Sequence, residues 1–219
     1  MSSSRPVSSP ARAVVDTVVL RYFLFVGKTD LLLDLLGTPI AVPEVVYSPD
    51  EESVVNDHLV SEIERSIRWH RTAAGDRRRP DDKRSQAARL VERLLEVREH
   101  VNEGSILVEK LSLSELVLFT RLTSLEHVEE FGIVAPLGAG EAACIAMAKE
   151  RSMTLVTDDN DALKAFGTIE PGNAYERIRK LLMRAVDEEH VDESEANLIF
   201  IEMVVLGFYG DQAPFPDVS

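Results

Sequence analysis

Apolar positions along this chain come in short, dense runs, and most runs end at an acid, a glycine or a proline. Ala13-Val14-Val15 is apolar throughout and reads as a buried strand closed by Asp16. Thr17 to Val26 follows as a largely buried helix, with a strand as the alternative because of its β-branched residues. Gly27 ends that segment, and the Leu-rich stretch Asp30 to Leu36 predicts a short helix stopped at Gly37. Ile40-Ala41-Val42 predicts a second strand, and Glu44 to Tyr47 a single helical turn interrupted at Pro49. Residues 53–72 and 84–101 carry longer helical patterns, the second with Ala88, Val91, Leu94, Leu95 and Val97 as its apolar face. Between them Ala73 to Asp82 holds Gly75, Pro80 and three arginines and predicts an exposed loop. Ser105 to Val108 reads as a third strand, and Leu113 to Leu122 as a helix capped by Ser112 or Ser114. After the apolar run Phe131 to Val134 come a helix over Gly140–Glu150, a strand over Met153–Val156 and a helix over Asp159–Phe166. Two last helices are predicted over Ala174–Val186 and Ser194–Phe208.

Strands alternating with helices imply an α/β fold: a three-layer α/β/α sandwich around a central parallel sheet. The pattern fits one domain over residues 11–209, with a helical insertion at 53–104 and a helical C-terminal extension at 172–209. Residues 1–10, rich in Ser and Pro, and the polar segment 210–219 read as tails. The 219 residues are 45% hydrophobic and 28% charged, an ordinary composition for a soluble globular chain. No apolar run reaches the roughly 18 residues of a membrane span, and no signal-peptide core follows Met1, so a cytoplasmic protein is expected. The single cysteine, Cys144, excludes an internal disulfide and reads as a buried core thiol. The five histidines lack metal-ligand spacing.

Charge changes the picture. A net charge of −14 argues against nucleic-acid binding through a generally basic surface. The arginines between Arg65 and Arg98 are interleaved with acids, so a solvated charged face is the plain account of that stretch. Arg77, Arg78 and Arg79, flanked by Gly75 and Pro80, are the candidate phosphate-backbone contacts.

Of four acidic stretches, three fall at boundaries between apolar runs and helices. Asp16 follows Val14-Val15; Glu141 sits in Gly138-Ala139-Gly140-Glu141-Ala142-Ala143; Asp158, Asp159 and Asp161 follow Leu155-Val156-Thr157; Asp50-Glu51-Glu52 follows the second predicted strand. In an open α/β sheet such boundaries line the crevice at the carboxyl ends of the strands. Each acid alone is explained as a helix N-cap or a first-turn charge, worth roughly 0.3–1 kcal/mol. Three such acids on separate elements point instead to a shared site. Gathered carboxylates repel, and a hard divalent cation, Mg²⁺ or Mn²⁺, relieves them. Asp159 is the residue expected to face the metal, with Asp158 and Asp161 as alternatives, and the chemistry implied is metal-dependent hydrolysis of phosphate esters. The glycines at 138 and 140 do not make a nucleotide fingerprint. No Ser/His/Asp or Cys/His arrangement stands out. A haloacid dehalogenase-type phosphatase is disfavoured, because Asp16-Thr17-Val18 lacks a second Asp two residues on.

Taken together, Val14-Val15-Asp16-Thr17, the segment Gly138 to Ala148 and Leu155-Val156-Thr157-Asp158-Asp159 resemble the PIN-domain family, which includes the ribonuclease toxins of bacterial toxin–antitoxin pairs. The likeness is close over 136–168, loose over the N-terminal third, and does not extend to about 53–104. It implies a parallel sheet flanked by helices, and Asp16, Glu141 and Asp159 as ligands of one or two Mg²⁺ or Mn²⁺ ions, with Thr17 and Thr157 beside them. It also implies cleavage of RNA by a metal-dependent endoribonuclease, with an antitoxin, a DNA-binding protein or a second copy of the chain as candidate partners. Two departures stand out. Val18 occupies a position where many members carry Asn, and the family's second acid has no clear counterpart, being Asp50, Glu51 or Glu44, or missing. That irregularity, with the acidic surface, keeps a non-cleaving PIN-like binding or regulatory subunit as the alternative.

Overall fold

The structure is a computed structural model that describes residues 11–48 and 61–208. Its strands are short: β1 (Ala13–Val15), β2 (Ile40–Pro43), β3 (Ile106–Glu109), β4 (Thr154–Val156) and β5 (Tyr175–Glu176). They pair in parallel in the order β3-β2-β1-β4-β5. The register sets Val14 opposite Ala41 and Leu155, Ala41 opposite Leu107, and Leu155 opposite Tyr175. In the two central strands β1 and β4, Val14, Val15, Leu155 and Val156 are fully buried, as expected when helices cover both faces of a parallel sheet.

Parallel strands cannot be joined by tight hairpins, so helices fill the connections. Between β1 and β2 run α1 (Thr17–Phe25) and α2 (Thr29–Leu36). Asp16 caps α1, and α2 stops at Gly37, whose φ of 76° suits a residue without a side chain. Between β2 and β3 lie α3 (Glu62–Gly75), α4 (Asp81–Leu95) and α5 (Val97–Glu103). The stretch 53–104 expected as an insertion thus contains the crossover that parallel β2 and β3 require. The return from β3 to β4 uses α6 (Leu113–Leu122) and α7 (Ala139–Arg151), and α8 (Asn160–Ile169) joins β4 to β5. Crossovers of this kind are right-handed, which sets α6, α7 and α8 on the face opposite α1 to α5. Packing of α7 on β1, β2 and β4, of α6 and α8 on α7, and of α1 on α2, α3 and α4 agrees. A helical pair, α9 (Ile178–Asp187) and α10 (Glu193–Val205), closes the described chain, with α9 against α2. The architecture is α/β with a five-stranded parallel sheet, compatible with a three-layer sandwich.

Several expectations need correction. The helix expected over 53–72 begins, within the described residues, at Glu62, where Ser61 caps it by accepting from the Glu64 N–H. Residues 53–60 lie outside the described residues. The exposed loop is shorter than 73–82, since α3 runs to Gly75 and α4 starts at Asp81. In α4 the inward face is Ala87, Leu90 and Leu94, and Ala88 is exposed. The helix expected over 174–186 is preceded by β5, a two-residue strand fixed by Leu155 N–H to Ala174 O (3.3 Å) and Thr157 N–H to Glu176 O (3.1 Å). The extension at 172–209 is therefore not wholly helical. The run Phe131 to Val134 is a turn that buries Phe131 and Ile133. Among the described residues, no helix is long and apolar enough to cross a membrane.

Candidate active site

Strand order reverses between β1 and β4, and the chain leaves both strands there in the same direction. This is the switch point at which open α/β sheets bind ligands. Asp16 is the first residue beyond β1. Its N–H still pairs with Val156 O (3.0 Å), so the carboxyl starts from the sheet edge in a fixed direction. One oxygen, Oδ1, accepts from the Thr17 N–H at 2.6 Å, and Oδ2 accepts from the Thr157 hydroxyl at 3.0 Å. The residue is 1% exposed. Burial, then the Glu141 charge, and more weakly the Glu62 charge raise its pKa from 3.8 to about 7, against the two hydrogen bonds.

Glu141 stands in the first turn of α7, and its carboxylate folds back over Gly138, the helix N-cap. Its pKa is raised by burial first, then by Asp159 and Glu62. The helix reaches the sheet because its inner face is small: Ala142, Ala143, Ala146 and Ala148 are fully buried, as is the Cys144 thiol, whose pKa burial pushes up. Gly140 marks the closest approach. A Cβ there would lie 2.7 Å from Glu62 Oε2 and 3.1 Å from Thr17 Oγ1.

Glu62 is the acid that sequence reasoning missed. It occupies the first position of α3, and the start of that helix is tied to the turn after β2: Glu62 N–H donates to Val45 O (3.0 Å) and Ile63 N–H to Val46 O (3.0 Å). From there its Oε2 accepts a short hydrogen bond from the Thr17 hydroxyl. The readable signal was Ser61 followed three residues later by Glu64, a helix-start pattern that sets Glu62 in the first turn.

Asp159 caps α8, its Oδ1 accepting from the Ala162 N–H at 2.7 Å, while its own N–H donates to Thr157 Oγ1 at 3.2 Å. Thr157, fully buried, thereby ties Asp16 to Asp159. The other candidates are placed differently. Asp158 turns toward α9: its Oδ2 accepts from the Ile178 N–H (2.8 Å) and its Oδ1 from Arg177 Nε (3.3 Å), while burial raises its pKa. Asp161 lies in the first turn of α8 and lines the neighbouring groove. Glu44 pairs with Lys110 at 3.4 Å. Asp50 and Glu51 lie outside the described residues. In the α3–α4 loop, Arg78 pairs with Asp76 at 3.0 Å, Arg79 reaches the same carboxylate at 3.9 Å, and Arg77 is exposed.

Asp16, Thr17, Glu62 and Glu141 line one cavity of about 560 Å³, with Arg21 on its wall. Val18, Arg21 and Tyr22 also border a larger groove of about 930 Å³ that contains Asp159 and Asp161. Val18 therefore gives the site an apolar wall. Among the described residues, no group of three or more His, Cys, Asp or Glu side chains stands ready-made to hold an ion. Each of the four carboxylates is instead turned to a nearby feature of its own: a threonine hydroxyl for Asp16 and Glu62, a helix start for Glu141 and Asp159. The donor set nonetheless suits a hard cation. It consists of carboxylate oxygens, and the charges acting on Asp16 and Glu141 are other carboxylates. Comparison with family models, with curated proteins and with solved structures finds no match for the chain.

Proposed function

We propose that the chain is a PIN-like, Mg²⁺- or Mn²⁺-dependent endoribonuclease whose site is Asp16, Glu62, Glu141 and Asp159. The observation that carries this reading is Asp16, buried at the β1/β4 switch point beside Glu141 and Glu62, with its pKa raised to about 7, while Glu141 in turn feels the charge of Asp159. A role as the toxin of a toxin–antitoxin pair rests on the sequence resemblance.

The four carboxylates would hold the ion. When bound, the ion supplies charge neutralisation at a phosphate and a more acidic water. The chain's own residues supply the rest. The Thr17 N–H and the Thr157 hydroxyl fix both oxygens of Asp16, so its orientation is set before a ligand arrives. The Thr17 hydroxyl holds the Glu62 carboxylate against Gly140, where an added Cβ would displace it. Near neutral pH, Asp16 exchanges a proton at its carboxyl and is ready to release it when a cation approaches. Arg21 brings positive charge to the cavity wall, where it can meet a phosphate. None of this requires a protein nucleophile.

A second reading, a PIN-like subunit that binds without cleaving, is favoured by the lack of a ready-made ion cage among the described residues. The deciding experiment incubates the full chain with labelled single-stranded RNA in Mn²⁺, in Mg²⁺ and in chelator. Internal cleavage that needs metal and falls at least a hundredfold in Asp16→Asn supports the nuclease. RNA bound but intact in every condition supports the second reading.

A further inference from the structure

Trp69 is the chain's one tryptophan, and it stands 58% exposed on α3. A singly exposed apolar side chain is ordinary, so exposure alone carries nothing. Its placement does. Glu62, Arg65, Ser66, Trp69 and His70 recur at helical spacing and line the same cavity as Asp16 and Glu141. Seven residues of helix set Trp69 about 10 Å beyond Glu62 along that row.

The indole is also seated. It meets the His70 ring edge-on, centroids 4.7 Å apart at 88°, and His70 meets Phe25 the same way at 5.4 Å and 89°. Behind it, the Arg79 guanidinium lies over the indole at 5.6 Å. Arg68 and Arg79 share a second hollow with Trp69, of about 210 Å³, on the side toward the α3–α4 loop. Burial, then Arg21 and Arg79, lower the His70 pKa to about 4, so the ring beside Trp69 is neutral; Arg68 and Arg79 flank the indole, with Asp76 in the same hollow paired to Arg79. An indole with a guanidinium over one face stacks an unpaired base on the other, and the guanidinium draws its phosphate. Such a local patch also answers how a chain of net charge −14 could hold a polyanion.

We propose that Trp69, with Arg79, is the stacking platform for an unpaired base of single-stranded RNA whose backbone continues into the carboxylate cavity. The proposal deepens the nuclease reading and rests on it for the identity of the polymer. A duplex does not fit the requirement, because its bases are already stacked on one another.

The test uses the full chain in chelator, so that binding is measured without cleavage. As Trp69 is the sole tryptophan, intrinsic fluorescence reports on this position alone. Single-stranded oligoadenylate of about twelve nucleotides, within the length range of known single-strand sites, should quench it saturably, and a duplex of equal length should not. By anisotropy of the labelled strand, Trp69→Ala should bind roughly tenfold or more weakly, and Trp69→Phe within about threefold of wild type. Far-UV circular dichroism of both variants checks the fold. Binding without quenching, equal affinity in Trp69→Ala, or no single-strand binding at low salt overturns the proposal and leaves the indole to a protein partner. Cleavage is scored separately in Mn²⁺. A protein that binds and quenches but never cleaves removes the nuclease reading and keeps the platform; one that cleaves without quenching does the reverse.

Discussion

Replacing Asp16 with asparagine should stabilise the protein in chelator at pH 8. The folded-state pKa is raised from 3.8 to about 7, so the folded state holds a proton that the unfolded chain has lost between those values. With more protons on the folded state, stability falls as pH rises from about 4 to about 7. At about 1.4 kcal/mol per pH unit, the full shift corresponds to about 4 kcal/mol above pH 7. Asparagine removes the charge and remains a good N-cap, its Oδ1 still able to accept from the Thr17 N–H. The charge assistance of the Thr157 bond is already contained in the net shift, so asparagine loses in addition only an ordinary hydrogen bond, roughly 0.5–1.5 kcal/mol, because its amide must now donate to a hydroxyl that also accepts from the Asp159 N–H. The net expectation is a gain of about 3 kcal/mol at pH 8, or about 6–12 °C in Tm for a chain of this size. At pH 4 the wild-type carboxyl is protonated when folded, and the difference should shrink or reverse. Thermal denaturation in chelator at pH 4 and pH 8 makes the comparison. Mn²⁺ should raise the Tm of the wild type and not of the variant, because it binds the ionised carboxylate. An asparagine variant that is equally destabilised at both pH values would refute the reasoning, since Asp16 would then be a satisfied cap rather than a strained charge.

Two further outcomes follow from particular contacts. Gly140→Ala adds a Cβ 2.7 Å from the flexible end of Glu62 within a helix that favours alanine by roughly 0.5–1 kcal/mol; Tm should hold while RNA cleavage drops at least tenfold, as read from paired melting and cleavage measurements. Arg151→Ala removes the partner of Glu115, which is 1% exposed and bonded to Arg151 at 2.6 and 3.0 Å; urea denaturation at pH 7 should show a loss of about 3 kcal/mol, with cleavage by the folded fraction unchanged.

Much of the scaffold was legible because it is locally encoded. Ala13–Val15 and Ile40–Val42 are uniformly apolar, Met153–Val156 is apolar but for Thr154, and each coincides with a strand, the last from Thr154 onward. A serine cap of α6 was readable as Ser112 or Ser114, and Ser112 is the one that forms a capping box with Glu115. What failed was short or long-range. Tyr175–Glu176 is too brief to show a period, and its backbone bonds to β4 make it a strand. Asp16, Glu141 and Asp159 were legible as acids at element boundaries. Glu62 was not, since its role comes from contacts with Val45, Thr17 and the space over Gly140, none of them local in sequence. Asp158 and Asp159 differ by one position, yet one faces α9 and the other caps α8, a choice made by Arg177 and Ile178 nineteen and twenty residues away.

The central claim is that Asp16, Glu62, Glu141 and Asp159 together hold a divalent cation. The direct measurement is an anomalous difference map from crystals grown in millimolar Mn²⁺. The account predicts one or two peaks bounded by these four carboxylates, with Glu62 turned from the Thr17 hydroxyl toward the ion. A map with no peak there, or with Mn²⁺ held elsewhere while the four carboxylates keep their present partners, would contradict it.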